Sequence, residues 1–342
     1  MLVSCKFVVK SHFWVKIQPF VFQDQARLMR VSHGFPKNVP ATAVTIGNFD
    51  GIHAGHQAML QRLVENAHAM GLVPCVLTFE PHPREFFTPE QAPARLTSLR
   101  EKLELFEGFG IEHAHICRFT RDFSRLSAQD FIERILVQGL NARWLLIGDD
   151  FRFGAKRTGD YAMLVEAGQR YGFEVVAMHS VMVEGLRASS TAVRESLVTG
   201  NLSLARQLLG RPYSVSGRVV HGDNLGTQIG FPTANIQLKH NKPPLAGIFA
   251  VELSGLQGGI LKGVASLGVR PTVKQNGKPT LEVHLFDFDQ NIYGSHVQVD
   301  FLHKLRDEEK YPDLDTLIAQ IGRDVENAKS FFNRRDAESP LR

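Results

Sequence analysis

Two histidines, His53 and His56, lie within the stretch VTIGNFDGIHAGHQAML, residues 44–60, separated by Ala54 and Gly55. Val44, Thr45 and Ile46 read as the end of a buried strand. Gly47, Asn48, Asp50 and Gly51 break it, because such residues tolerate a tight turn at small cost. From Gln57 the spacing of Met59, Leu60, Leu63 and Val64 is that of an amphipathic helix, which Gly71 can close. The pair therefore stands where a strand feeds a helix, at the carboxyl end of the strand, where ligands bind in α/β folds. Free backbone N–H groups and the positive end of the helix dipole favour phosphate there. Two imidazoles aimed the same way could neutralise charge building on a phosphate during its transfer. As bare residues the two also admit zinc, although such a site needs three or four ligands and no matching His or Cys pair lies nearby. They also admit no chemistry at all, as polar loop residues.

Four other groups could carry chemistry. Ser189, Ser190 and Thr191 precede Arg194 in SSTAVR. Hydroxyls at a helix start bind phosphate oxygens, and an arginine one turn on supplies a fork for pyrophosphate; a capping serine and a solvated arginine fit the same letters. The loop GDDFRFGAKRTGD carries Asp149, Asp150, Arg152 and Arg157, which suit either a polar site or a salt-bridged surface. Further on, Thr233 and Asn235 of PTAN are hard oxygen donors suited to a Mg²⁺ ion that keeps waters and bridges phosphates. Gly222, Gly226 and Gly230 before them let the backbone approach phosphates closely, or simply turn a barrel corner. In LEVHL, Leu281, Val283 and Leu285 alternate with Glu282 and His284, so Glu282 points away from the core.

These residues need elements to hold them. At 342 residues, with 43% hydrophobic and 22% charged side chains, the chain has the composition of an ordinary globular protein with room for two domains. Strands at Val73 to Phe79, Ala114 to Phe119, Arg143 to Ile147 and Phe173 to Met178 alternate with helices from Ser98, from Ser127 and over Tyr161 to Tyr171. EPHPREFF reads as a proline-punctuated loop. Such alternation implies a parallel, doubly wound sheet whose loops open on one edge. A short helix, Leu202 to Leu209, precedes Gly210-Arg211-Pro212, where composition changes. Beyond it short strands with Gly/Pro turns, at Ser214 to Val220, Gly247 to Leu253, Leu261 to Ser266, Thr280 to Phe286 and Val297 to Phe301, predict a small antiparallel barrel. A helix from about Asp313 to Phe332 closes the chain with Leu314, Leu317, Ile318, Ile321 and Val325 on one stripe.

Net charge is +4, from 39 basic and 35 acidic residues. That balance, without Lys/Arg runs, gives no argument for nucleic acid despite a pI near 9.0, and suits small anionic ligands equally. No apolar run reaches the length of a membrane span. Cys5, Cys75 and Cys117 are odd in number and far apart, so no disulfide framework is expected, and a reducing, cytoplasmic setting fits. Residues 1–28 have apolar patches interrupted by Lys6, Lys10, His12 and Lys16 and no small-residue cleavage site. They read as an N-terminal appendage, with Met29 a candidate start.

The string GNFDGIHAGHQ resembles the form of the nucleotidyltransferase HxGH signature found in bacterial bifunctional riboflavin kinase/FMN adenylyltransferases, the prokaryotic FAD synthetases. TFEPHPRE, GDDFRFGAKRTGD and SSTAVR are similar to three further blocks of that module. Ala188 stands where isoleucine is usual. GRVVHGDNLGTQIGFPTANI, GVASLGVRPTV and LEVHLFDFDQNIYG resemble the riboflavin kinase signature in order, with Thr227 and Ser266 where arginine and asparagine are frequent. The resemblance covers residues 30–332. It implies a Rossmann-like nucleotidyltransferase domain over 29–210 and a riboflavin kinase barrel with a C-terminal helix over 211–342. The barrel would phosphorylate riboflavin with ATP, and the first domain would adenylylate FMN to FAD with release of pyrophosphate. It further implies His53, His56 and Glu282 as catalytic, with Glu282 the base. Gly47, Asn48, Asp50, Ser190, Thr191 and Arg194 would bind the adenylyltransferase ATP. Gly222, Gly230, Thr233 and Asn235 would bind the kinase ATP with Mg²⁺ on Thr233 and Asn235, and Arg306 would bind flavin. The implied partners are riboflavin, FMN and ATP, with no nucleic acid and no membrane; oligomeric state is open. Other classes are an adenylyltransferase for a different phosphorylated vitamin, its barrel only a binding module, and a non-enzymatic nucleic-acid-binding protein. Intact PTAN and Glu282 speak against the first.

Overall fold

The computed structural model describes residues 6–8, 14–16, 28–34, 39–222, 225–239, 242–269 and 279–338. Most of the appendage and residues 270–273 of GVASLGVRPTV lie outside them. The chain packs as two compact units. One gathers the described residues up to Pro93 with Leu99–Ser190, and the other gathers Ala94–Ser98 with the chain from Thr191 onward.

The first unit is built on six parallel strands: β1 (Arg30–His33), β2 (Thr42–Ile46), β3 (Val73–Glu80), β4 (His113–Arg118), β5 (Ala142–Gly148) and β6 (Glu174–Met178). Their spatial order is β1-β4-β3-β2-β5-β6. From β2 the chain steps outward one way through β3 and β4, then returns past β2 to β5 and β6. The switch point is therefore the crevice between β2 and β5, the place where open α/β sheets bind ligands. Every residue of β2 is buried, as a strand covered on both faces requires. Helix α1 (Ala54–Ala69) packs Leu60, Leu63 and Ala67 against the sheet, and α2 (Leu99–Gly108) adds Phe106 to the same core. The opposite face is filled by the helical run Ala128–Val137 and by α3 (Tyr161–Tyr171), through Phe131, Ile135 and Leu164.

Several elements depart from the sequence reading. Helix α1 begins at Ala54, three residues before Gln57, so His56 lies inside its first turn. EPHPREFF is no simple loop: Pro83–Phe87 is a short helix, capped by His82, whose Nδ1 accepts from the Arg84 N–H. Short strands at Met182–Val183 and Leu186–Arg187 form a hairpin that the sequence did not signal. Within the appendage, Lys6–Val8 pairs antiparallel with Trp14–Lys16, and Val8 stands opposite Met182 of that hairpin.

The second unit opens with α4 (Ser190–Val198), all but its first residue, and α5 (Leu202–Leu209). Six antiparallel strands follow: β7 (Tyr213–Val220), β8 (Ala234–Gln237), β9 (Gly247–Leu256), β10 (Gly259–Val269), β11 (Pro279–Leu285) and β12 (His296–Arg306). They close into a barrel in the order β7-β8-β11-β10-β9-β12. Strand β8 was not foreseen; PTAN runs straight into it. Helix α6 (Leu314–Glu338) covers one side, but its seam lies further along than the expected stripe. Val325, Ala328 and Phe332 are buried with Asp324, while Leu314 is exposed.

At the β1 edge of the first sheet, Ser32 Oγ lies 2.7 Å from His113 Nε2 and 2.9 Å from His115 Nδ1. One hydroxyl can donate to one ring and accept from the other, which suits two neutral imidazoles. Both rings are buried, and burial pulls each down to about 4, aided by Arg30 at His113 and by the neighbouring His113 and His33 at His115. Because the folded values lie below the ordinary 6.5, the unfolded chain binds more protons between them. This contribution is therefore complete above pH 6.5, declines as pH falls towards 4 and is flat below. Its ceiling is about 3 kcal/mol per histidine. The urea midpoint of the first unit should fall across that window, and H113N/H115N should flatten the fall. An equally steep fall in the double variant would assign it to carboxylates instead.

Candidate functional site

The turn between β2 and α1 is strained where the motif needs it. Phe49 and Ile52 adopt positive φ, 50° and 41°, alongside Gly51 at 85°. For a β-branched residue such as Ile52 this is a costly conformation, retained only where surroundings force it. The forcing is visible: both side chains are fully buried, and Phe49 meets Phe106 edge-on at 5.3 Å between centroids. Phe49 also lies 5.0 Å from His56. His53 is the N-cap residue of α1, yet its side chain makes no capping bond. Its ring stacks on His56 instead, at 3.8 Å and 23° between planes. A Cβ on Gly55 would come within 3.2 Å of the His53 ring and 3.4 Å of the Ala188 carbonyl, so the glycine of HxGH makes room for the stack.

Burial first, then His53 and Lys102, hold His56 well below the ordinary histidine range. At neutral pH it is an uncharged imidazole. Its Nδ1 is buried with no hydrogen-bond partner among the described residues. A bare lone pair there is cheaper than an unpaired N–H, which favours the tautomer that carries its proton on Nε2. The Asn48 side-chain oxygen is likewise buried and unpartnered among the described residues, while its backbone carbonyl accepts from Lys102 Nζ at 2.7 Å. The Asp50 carbonyl accepts from the Ser190 hydroxyl at 2.8 Å. Gly47, Asn48, Asp50, His53 and His56 thus follow one another from the end of β2 into the first turn of α1, and the Ser190 hydroxyl bonds that segment. Thr191 and Arg194 follow on α4 in the other unit, where Thr191 is exposed and Arg194 Nε donates to the Ala94 carbonyl at 2.6 Å.

The acidic loop after β5 is salt-bridged: Arg152 pairs with Asp160 at 2.9 Å, Asp150 with Arg187 at 2.9 Å, and Asp149 lies 3.4 Å from His179. Near the ends of β3 and β4, Phe79, Phe86, Phe87, Phe119 and Phe123 form a chain of tilted and edge-on ring contacts, with Phe87 62% exposed. Sequence reasoning passed over this aromatic shelf; the paired Phe86-Phe87 beside Phe119 was its only signal. Lys102 was passed over too.

In the barrel, strand register brings the predicted kinase residues into one row. Asn235 of β8 stands opposite Glu282 of β11, and Glu282 stands opposite Ser266 of β10. Directly opposed residues point to one face, so the three side chains are neighbours. Leu281, Val283 and Leu285 are buried on the inner face, leaving Glu282 half-buried on the outer one. A Cβ on Gly222 would strike the Asn235 amide at 2.3 Å, and one on Gly226 would strike the Phe231 carbonyl at 2.4 Å with the Thr233 hydroxyl 3.2 Å away. Glycine is therefore what lets this backbone lie against Thr233 and Asn235. Gly230 turns at φ 85°. Glu308, unforeseen from sequence, hydrogen-bonds Ser266, and burial raises its carboxyl above the ordinary range. Arg306 is held in a two-pronged fork by buried Asp324, at 2.9 and 2.7 Å, and lies 5.7 Å from the Tyr311 ring centre. Its guanidinium is thus committed to α6.

A family model described as FAD synthetase matches residues 35–192, and one described as riboflavin kinase matches residues 209–332. A bifunctional riboflavin kinase/FMN adenylyltransferase of Haemophilus influenzae is 48% identical over 308 residues, covering 90% of this chain and 99% of that protein. The protein of that name from Escherichia coli K12 is 49% identical over 289 residues, covering 84% and 92%. A solved structure from Streptococcus pneumoniae, named as a macrolide-efflux protein, aligns with a TM-score of 0.74 at 29% identity, covering 86% of this chain and 97% of that one. Among the described residues no helix is long and apolar enough to cross a membrane.

Proposed function

We propose that in this chain, which belongs to the family of bifunctional riboflavin kinase/FMN adenylyltransferases, the histidine turn of one unit carries adenylyl transfer and the Glu282 row of the other carries phosphorylation. The activities follow from the family: ATP phosphorylates riboflavin to FMN, and a second ATP adenylylates FMN to FAD with release of pyrophosphate.

In the first step the ribityl 5′-hydroxyl attacks the γ-phosphorus of ATP, its proton passes to the Glu282 carboxylate, and the bond to ADP breaks. Thr233 and Asn235 offer a hydroxyl and an amide oxygen, a donor set that fits Mg²⁺, and would hold the ion that offsets phosphate charge. Gly222 and Gly230 bring backbone close to the same phosphates. Arg306, fixed by Asp324, lines the flavin side. In the second step an oxygen of the FMN phosphate attacks the α-phosphorus of ATP and pyrophosphate leaves. His53 and His56 donate to phosphate oxygens, with Gly47, Asn48, Asp50 and Ser190 of the same unit seating the nucleotide. Neither step needs a covalent enzyme intermediate, so positioning and charge stabilisation carry the rate.

The observation that supports this reading most is the register Asn235–Glu282–Ser266, which sets a carboxylate beside a Mg²⁺ donor on one face. Incubation with riboflavin, ATP and Mg²⁺, with the flavins separated by chromatography over time, tests it. FMN should appear before FAD; omission of Mg²⁺ should stop FMN formation, and formation unaffected by chelator would remove the ion from Thr233 and Asn235.

We place the working boundary at 210/211, with 29–210 the adenylyltransferase and 211–342 the kinase. A fragment from Arg211 should make FMN. One extended back to Leu202 should melt higher, because α5 buries Leu202, Ala205, Leu208 and Leu209 within the same unit. An insoluble or inactive fragment in both forms would count against an autonomous kinase. Free, buried thiols at Cys75 and Cys117, the latter pushed up to about 12, support a reducing cytoplasmic setting.

A further inference from the structure

Helix α2 turns Phe106 into the core and, one turn earlier on the same face, Lys102, which is only 3% exposed. A lysine at such a position is expensive to bury and needs polar company to stay there. That company includes the motif turn, 54 residues away in sequence: its Nζ donates to the Asn48 carbonyl at 2.7 Å. The Thr78 hydroxyl approaches the same carbonyl at 3.4 Å. Phe49, next in the chain, wedges between Phe106 and His56. Helix α2 therefore grips this turn twice, once by an aromatic contact and once by an ammonium.

We propose that Lys102 is a positioning residue for adenylyl transfer, its buried ammonium clamping the Asn48 turn so that the His53/His56 stack and the Asn48 side chain meet the phosphates of ATP in fixed geometry. The proposal rests on the assignment of His53 and His56 to that step. The clamp also has an electrostatic consequence. Burial disfavours an imidazolium at His56, and His53 and Lys102 add to it. Burial first, with the lysine adding to it, keeps His56 a neutral donor, whose proton stays where a phosphate oxygen can use it.

The test uses the full-length protein with K102M, K102R and H56A, supplied with FMN, ATP and Mg²⁺. K102M should lower kcat for FAD formation by about 100-fold, the scale of losing one preorganised donor, with FMN formation from riboflavin retained. Histidine NMR resonances should show His56 titrating far below its ordinary value in the wild type, closer to that value in K102M, and depressed again in K102R. A clamp that mattered only for folding would not move that titration. Wild-type rates in K102M, while H56A makes no FAD, would overturn the role of Lys102 alone; wild-type rates in H56A would overturn the histidine assignment with it. If K102M does not fold, K102Q takes its place under the same two readouts, and wild-type kcat with an unmoved His56 titration there would overturn the role of Lys102.

Discussion

Replacing His53 and His56 together with alanine should abolish FAD formation while FMN continues to accumulate. The two rings stack at 3.8 Å at the amino end of α1, and His56 is neutral at physiological pH because burial, His53 and Lys102 all oppose its protonation. A neutral imidazole such as His56 stabilises a transferring phosphoryl group by hydrogen bonds rather than by full charge. A preorganised donor of that kind is worth roughly 3 to 4 kcal/mol, a factor of 10² to 10³ in rate. Losing both donors costs more than losing either, up to about 10⁴- to 10⁶-fold where the two act independently, which leaves no detectable FAD. Flavins separated by chromatography give the answer directly: riboflavin converts to FMN at the normal rate and stops. Because the His56 ring also fills space against Phe49, an H53N/H56N pair and a thermal melt separate lost chemistry from lost packing. Undiminished FAD from both double variants would remove the histidines from the mechanism.

Much of this arrangement could be read from the residues, and the parts that could not share a cause. Alternation of buried strands with amphipathic helices is local information, so the parallel sheet, most barrel strands and the closing helix were legible from periodicity. The motif turn was legible only in outline. Gly47, Asn48 and Asp50 advertise a turn, but the residues that take left-handed backbone besides Gly51 are Phe49 and Ile52, which no turn propensity favours. They do so because their side chains are held in the core, a tertiary demand that overrides local preference. The helix at Pro83–Phe87 escaped for a related reason: its cap is a histidine, and only the folded orientation of the ring makes Nδ1 the acceptor. Lys102 sits in a segment that reads as an ordinary capped helix, and its partner is 54 residues away. Strand β8 is four residues long and follows a proline and a glycine turn, too short for alternation to declare itself. What identified PTAN and LEVHL was resemblance, and the register then explained why the two segments need each other.

Glu282→Gln should lower FMN formation by about 10²- to 10⁴-fold, the range typical of a lost general base. Periodicity alone sets Glu282 on the face opposite Leu281, Val283 and Leu285, where plain solvent exposure is an equally good account. The barrel register argues otherwise. Glu282 is flanked by Asn235 on one side and Ser266 on the other, with Gly222 holding backbone against the Asn235 amide. An alcohol is a poor nucleophile, and a carboxylate within reach both orients it and takes its proton as the phosphorus–oxygen bond forms. Glutamine keeps the shape and the hydrogen-bonding but cannot accept the proton, so kcat should fall while binding of riboflavin and ATP changes little. Conversion of supplied FMN to FAD should stay near normal, since we assign that reaction to the histidine turn in the other unit. Glu308 supplies an internal comparison: it hydrogen-bonds Ser266 in the same row, but it lies outside the cross-strand register that sets Glu282 beside Asn235. E308Q should therefore cost far less than E282Q. A larger loss in E308Q would transfer the base to that residue, and equal slowing of both reactions in E282Q would reduce Glu282 to a structural part of the barrel wall.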